Sequence, residues 1–292
     1  MLHPLARLLL TACLLVPAPA LAAAPIRIVA AERVYADVAS QIGGNTVAVT
    51  AILSNPDQDP HLFEASPSVA RALARADIAI ANGAGYDSWM TALLRATRRR
   101  GRVVIVAARL IGRRRGDNPH IWYDPTTMPA FARRLAATLE NRDPVHAAAD
   151  RGRLAAFEAS MAPIETRIAL LRARLAGTPV AATEPVFDDM LRALGMTVLE
   201  GRFQIAVMNA TEPSAADIAA FETDLRERRV RLLVTNAQVA DPIARRMARI
   251  AREAGIPVLP AAETEPPGMS YQRWMLAMLA AVERALPPAG GK

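Results

Sequence analysis

Lysine is all but missing from this chain: 34 of its 35 basic residues are arginine, and the only lysine is the C-terminal Lys292. Without an internal Lys there is no Walker-type phosphate loop and no Schiff base of the pyridoxal-phosphate kind. Cysteine is as scarce. The one residue, Cys13, leaves no thiolate zinc site, internal disulfide or thiol nucleophile further along the chain. His-Glu-x-x-His and Gly-x-Ser-x-Gly are both absent, which removes two common hydrolase signatures. Aromatic residues make up only 4%, so Ala, Leu, Ile, Val and Met must fill the core. Apolar residues themselves are plentiful, at 52% against 22% charged, which argues against disorder. A length of 292 residues is long for one core and suits two lobes.

The net charge of +7 would ordinarily raise nucleic acid as a partner. The cations are spread through an Arg-rich composition, and the runs 98–100 and 113–115 read as a helix C-terminus and a loop on a solvated surface. No nucleic-acid partner is expected.

Residues 1–22 read as a cleavable secretory signal: Arg7, an apolar run, then Pro17, Pro19 and the small-residue site Ala20-Leu21-Ala22. The run is too short for a spanning helix. Leu10-Thr11-Ala12-Cys13 resembles a lipoprotein box, but the apolar run continues past Cys13, so export to the periplasm with cleavage is preferred over lipidation of Cys13.

From residue 26 onward, short β-branched runs alternate with amphipathic segments, the pattern of βα units and a mainly parallel sheet. Strands are expected at 26–29, 47–52, 78–82 and 103–106, and again at 180–183, 197–199, 232–235 and 258–259. Helices are expected at 32–42, 67–75, with Ser66 as cap, and 87–97; Ser214 with Asp217 and Asp241-Pro242 mark two more helix starts. Between the two sets, Leu154, Phe157, Met161, Ile164, Ile168, Leu171 and Leu175 recur at alternating spacings of 3 and 4, a helical seam. The expected organisation is an N-terminal α/β lobe over 23–143, a long connecting helix over 144–177 and a C-terminal α/β lobe over 178–292. Each lobe is Rossmann-like, with a four-stranded, mainly parallel sheet.

Two histidines share a local frame. Asp59-Pro60-His61-Leu62-Phe63 and Asn118-Pro119-His120-Ile121-Trp122 both read Asx, Pro, His, aliphatic, aromatic. Proline stiffens each loop, and both loops follow expected strands, where open α/β sheets bind their ligands. Glu184 follows a strand of the second lobe in the same way. Two imidazoles and a carboxylate suit Zn²⁺, Mn²⁺ or Fe²⁺ across an interlobe cleft. His146 has no such frame and reads as an exposed helical residue.

These residues resemble the zinc and manganese solute-binding receptors of ABC importers, the periplasmic solute-binding family 9. The match runs through Asp59-Pro60-His61, Glu64-Ala65-Ser66-Pro67-Ser68, Ala81-Asn82-Gly83 with Trp89, and Asn118-Pro119-His120-Ile121-Trp122-Tyr123-Asp124-Pro125. The resemblance implies two lobes joined by one helix, with a metal ion between them as cargo. It matches His61 and His120 to the first two ligands and Glu184 to the third; a Glu there is closer to the manganese type, and the His-rich loop of many zinc receptors is missing. It also implies a non-enzymatic binding protein that delivers Mn²⁺ or Zn²⁺ to an inner-membrane ABC permease; a monomer is expected separately, because about three heptads of seam are marginal for a coiled-coil dimer and Gly152 with an Arg-rich exposed face suits packing within one chain. The fourth position departs from the family pattern: Gly268-Met269-Ser270-Tyr271 holds no Asp. Met269 as core filler or as a soft Cu(I) ligand, Glu263, Glu265 and a water all stay open. The competing class is a secreted metal-dependent hydrolase using the same ligands.

Overall fold

Eight short strands form two separate sheets of four in the computed structural model, which describes residues 24–56, 60, 63–239 and 241–288. Residues 1–22, with Cys13, and His61 lie outside the described residues. In chain order the first lobe runs β1 (Ile26–Glu32), α1 (Arg33–Gly43), β2 (Val47–Leu53), α2 (Pro67–Arg75), β3 (Ile78–Ala81), α3 (Ser88–Ala96), β4 (Val103–Val106), α4 (Ala107–Leu110) and α5 (Thr127–Arg142). After α6 (Ala147–Leu175) come β5 (Pro179–Ala182), α7 (Asp188–Ala193), β6 (Thr197–Leu199), α8 (Gly201–Met208), α9 (Ala215–Arg226), β7 (Leu233–Asn236), α10 (Pro242–Glu253), β8 (Val258–Ala261) and α11 (Tyr271–Ala285).

The two sheets have the same topology. Their strand orders are β2-β1-β3-β4 and β6-β5-β7-β8, every pair is parallel, and registers such as Ile28↔Ile78 and Ala181↔Leu233 join the central strands. Helices cover both faces, which is why β3 reads Ile-Ala-Ile-Ala and is wholly buried. In each sheet the order reverses beside the first strand, so the carboxyl ends of β1 and β3, and of β5 and β7, flank a switch point where such folds bind ligands. Gly83 makes the turn out of β3: its φ is +84°, and a Cβ there would meet the Val106 side chain at 2.6 Å.

The seam of α6 is confirmed. Phe157, Met161, Ile164, Leu171 and Leu175 are buried, and Leu154 and Ile168 pack at its edge. Its 29 residues span about 44 Å at roughly 1.5 Å per residue. The seam lies against α1 and α5 of the first lobe and α11 of the second, so the helix packs against its own chain. Gln272 of α11 donates to Gln41 of α1 and Ser160 of α6, each at 2.8 Å. One apolar core is thereby continuous from β1 to α11.

Three local expectations change. Helix α2 begins at Pro67, but the Ser66 hydroxyl pairs with Ser68 and makes no side-chain cap bond. His146 lies in a 3₁₀ turn ahead of α6, bonded to Asp143 at 2.7 Å. The arginine runs are not uniformly solvated: Arg99 turns inward to the carbonyls of Arg75 and Ala76 and to Asp77, and Arg113 reaches the second lobe. Ser214 and Asp241 cap α9 and α10 as expected, accepting from Asp217 and Ala244.

Candidate metal centre

His120 is fully buried, at the entrance to the 3₁₀ turn Ile121–Tyr123. Asn118 sets its ring. The Asn118 amide donates to the Pro185 carbonyl at 2.9 Å, which turns its Oδ1 towards His120, where it accepts from the backbone N–H at 3.1 Å and from Nδ1 at 2.9 Å. A neutral ring held this way keeps its proton on Nδ1 and presents the lone pair of Nε2. Nε2 has no hydrogen-bond partner among the described residues, and Tyr86 and Trp122 wall the ring edge-on. It faces Glu263 Oε2 at 3.4 Å, beyond hydrogen-bond length, with both side chains sealed from solvent.

The other lobe brings the carboxylates. Glu184, extended and buried at the end of β5, and Glu263, in the loop after β8, are joined by one amide: Asn236 Nδ2 donates to Glu184 Oε2 at 2.5 Å and to Glu263 Oε1 at 2.6 Å. Gln238 completes the frame, its Oε1 accepting from the backbone N–H groups of Glu263 and Thr264 at 2.5 and 3.0 Å. Carboxylate oxygen and imidazole nitrogen are donor types that divalent transition ions take. Among the described residues alone, no group of three or more His, Cys, Asp or Glu is disposed to hold a metal ion. His61, the remaining residue of the expected set, lies outside them.

The segment carrying His120 is bonded to both lobes. Asn118 reaches Pro185, Tyr123 Oη donates to the Ala262 carbonyl at 2.8 Å, and Tyr271 Oη donates to the Trp122 carbonyl at 3.2 Å. Arg113 adds an ion pair to Asp189 of α7 at 2.9 Å and to Asp124 at 3.3 Å. Outside these contacts lies a cleft cavity of about 430 Å³ lined by Arg113, Asn118, Pro185, Asp188 and Gln204, among others, and not by His120 or either glutamate. Burial, only partly offset by Arg192, pushes the Asp188 carboxyl up to about 6.

The open fourth position divides as follows. Glu263 faces His120. Glu265, two residues on, is buried beside α1, where burial and then the charge of Asp37 push its carboxyl up to about 8. Met269 packs against the main core, the filler role. Asn118, Asn236 and Gln238, which hold His120 and the two glutamates, carry little signal in the sequence: an Asn inside the Asx-Pro-His frame and polar residues at the end of a strand.

A family model described as zinc-uptake complex component A, periplasmic, matches residues 28–285. A protein of Thermotoga maritima named for metal binding is 38% identical over 96 residues, 31% of this chain and 32% of that one. The manganese-binding lipoprotein MntA of Halalkalibacterium halodurans is 28% identical over 122 residues, 41% of this chain and 40% of its own. The aligned stretches thus span a third to two fifths of these curated relatives. The solute-binding protein FpvC of Pseudomonas aeruginosa, solved with Mn²⁺, superposes with a TM-score of 0.74 at 20% identity, over 91% of this chain and all of that one, and so shares the two-lobe fold. By the extent of the family match, the chain belongs to the zinc-uptake complex component A periplasmic family.

Proposed function

We propose that this protein is an extracytoplasmic receptor that captures a divalent transition metal, Mn²⁺ or Zn²⁺, in the interlobe cleft and delivers it to an ABC permease in the inner membrane. The proposed ligands are His61 and His120 from the first lobe and Glu184 from the second, with Glu263 as the fourth. The observation that carries this reading is the buried His120 Nε2, held bare by Asn118 and aimed at Glu263. The protein supplies a dry, preoriented set of nitrogen and oxygen donors, and the ion is its cargo. The continuous core behind α6 supports small rocking of the lobes, and the contacts of Asn118, Tyr123 and Arg113 across the cleft are those that release must break. Further parts of the proposal are that residues 1–22 are the export signal, that residues 23–143 and 178–292 form the lobes around a connecting segment 144–177, and that the receptor is a monomer without enzymatic activity.

The test is calorimetric titration of the metal-stripped protein with Mn²⁺ and Zn²⁺, together with elemental analysis of the purified protein. One ion bound per chain at micromolar affinity or better is expected. Binding no tighter than millimolar for both ions overturns the reading.

A further inference from the structure

We propose a second ligand site on the first lobe: a basic pocket that binds a phosphate group, either free or carried on a phospholipid. A cavity of about 360 Å³ opens beside α3, between the turn that leaves β3 and the arginine loop that follows α4, and Arg109, Arg113, Arg114 and Arg115 all line it. That volume lies in the range of small-molecule pockets, about 300–1,000 Å³. The pocket shares Arg113 with the cleft cavity beside Asn118 and no other residue, so it stands whether or not the cleft holds a metal.

The four arginines are not equivalent. Arg113 is answered by Asp124 and Asp189. Arg109, Arg114 and Arg115 are exposed and have no ion-pair partner among the described residues. The nearby acids are committed elsewhere. Asp117 accepts from the Arg114 backbone N–H at 2.7 Å. Asp87, the one acid that lines the cavity, is buried and accepts from the backbone N–H groups of Asn82 at 2.7 Å and Gly83 at 2.9 Å. Like charges gathered in one concavity raise its potential and draw in an anion.

The loop keeps these charges together. The Arg113 N–H donates to the Ala108 carbonyl at 2.9 Å, and the Asp117 N–H to the Arg114 carbonyl at 3.1 Å. The Arg115 stem lies over Gly85, where a Cβ would stand 3.7 Å from its Cγ. The turn adds neutral donors: φ is positive at Gly83, Ala84 and Gly85, and the N–H groups of Ala84 and Gly85 donate to no acceptor among the described residues. Turn N–H groups of this kind suit anions. Thr91 of α3 lines the same cavity with a hydroxyl. A guanidinium fork matches both carboxylate and phosphate oxygens. Here the donors come from α3, the β3 turn and the loop after α4, more sides than the two oxygens of a planar carboxylate can meet. A tetrahedral phosphate can meet them.

The test is calorimetric titration in phosphate-free buffer at low salt with inorganic phosphate and with glycerol 3-phosphate, beside flotation with phosphatidylcholine vesicles that do or do not contain phosphatidylglycerol. Arg114→Ser/Arg115→Ser is compared with Arg231→Ser/Arg252→Ser, which removes the same charge from exposed positions of the second lobe. Thermal unfolding confirms that each variant is folded, and Arg109→Ser carries the test alone if the first pair does not fold. At least one phosphate probe should bind more tightly than about 1 mM. The Arg114/Arg115 variant should weaken that binding at least about tenfold, the worth of one hydrogen bond to a charged group, and the second-lobe variant by less than about twofold. Binding of either soluble probe identifies a free phosphate as the ligand; binding of the anionic vesicles alone identifies a lipid headgroup. The proposal is overturned if no probe binds that tightly, or if both double variants lose binding equally, which would mark diffuse charge and no pocket.

Discussion

The two lobes share a strand order, yet the polar residues at their strand ends differ in kind and are held by different means. In the C-terminal lobe the donors sit close to the strands: Glu184 comes two residues after β5 and Glu263 two after β8, and Asn236, the last residue of β7, joins them. In the N-terminal lobe the corresponding strand ends hold Glu32 and Asn82, and His120 arrives from a loop well beyond β4. Asn82, just past β3 as Asn236 ends β7, donates to the Pro119 carbonyl at 2.8 Å and accepts from Tyr35 Oη at 2.6 Å. One amide therefore holds a histidine loop in place, and its counterpart pairs two carboxylates. Glu32 is buried, its carboxyl oxygens accepting no hydrogen bond from another side chain among the described residues, and burial, followed by the charge of Asp87, holds it well above the usual carboxylate range. The switch point of a parallel sheet fixes where a ligand sits, and the residues at the strand ends decide what it meets.

If each lobe supplies ligands, removing one from either side should damage binding comparably. His120→Ala and Glu184→Ala are each expected to weaken Mn²⁺ and Zn²⁺ binding by more than about 100-fold, beyond the range for residues that only orient ligands, as read by calorimetry. A large loss from one side with little from the other would show that a single lobe holds the ion and the second merely closes over it.

A smaller effect belongs to Asn82. Asn82→Ala should cost the apo-protein about 2–3 kcal/mol, because it strands the buried Tyr35 hydroxyl and frees the Pro119 carbonyl. It should lower affinity for both metals by about tenfold in parallel, through misplacement of His120. Unchanged affinity in a folded Asn82→Ala protein would show that this asparagine does not hold the histidine loop.

The smallest effect is far from the cleft. Asp77 ties the base of the first sheet to Arg27, Arg99 and Arg142. Burial raises its carboxyl, but hydrogen bonds from Arg27 and Arg99 outweigh this and hold it at about 2 against an ordinary 3.8. Because the folded value is the lower, the stabilisation is complete above pH 3.8 and is lost as the pH falls through about 2. Asp77→Asn should cost about 1 kcal/mol at neutral pH, allowing for solvent screening of the exposed Arg27, and the difference should vanish in strong acid; thermal unfolding followed across pH reads both.

The sequence by itself determined the two sheets, the helical seam between them and the positions of His120 and Glu184 at the carboxyl side of their lobes. Those properties follow from local rules: β-branched runs, spacing of 3 and 4, and proline loops after strands, each read within a few residues. Even there the boundaries slipped where no local rule acts, as at β1, which continues through the charged Glu32 because its partner β2 pairs as far as Leu53. Only the tertiary structure set Glu263 against His120, Glu265 beside α1 and Met269 on the core, since three candidates within seven residues differ in the helix or loop they face and not in their spacing. It also turned Arg113, one of three adjacent arginines, into a contact across the cleft. Asn236 is the plainest case. Nothing in Thr235-Asn236-Ala237-Gln238 announces a bridge, because its two partners lie 52 and 27 residues away in sequence and meet only when β5, β7 and β8 lie side by side.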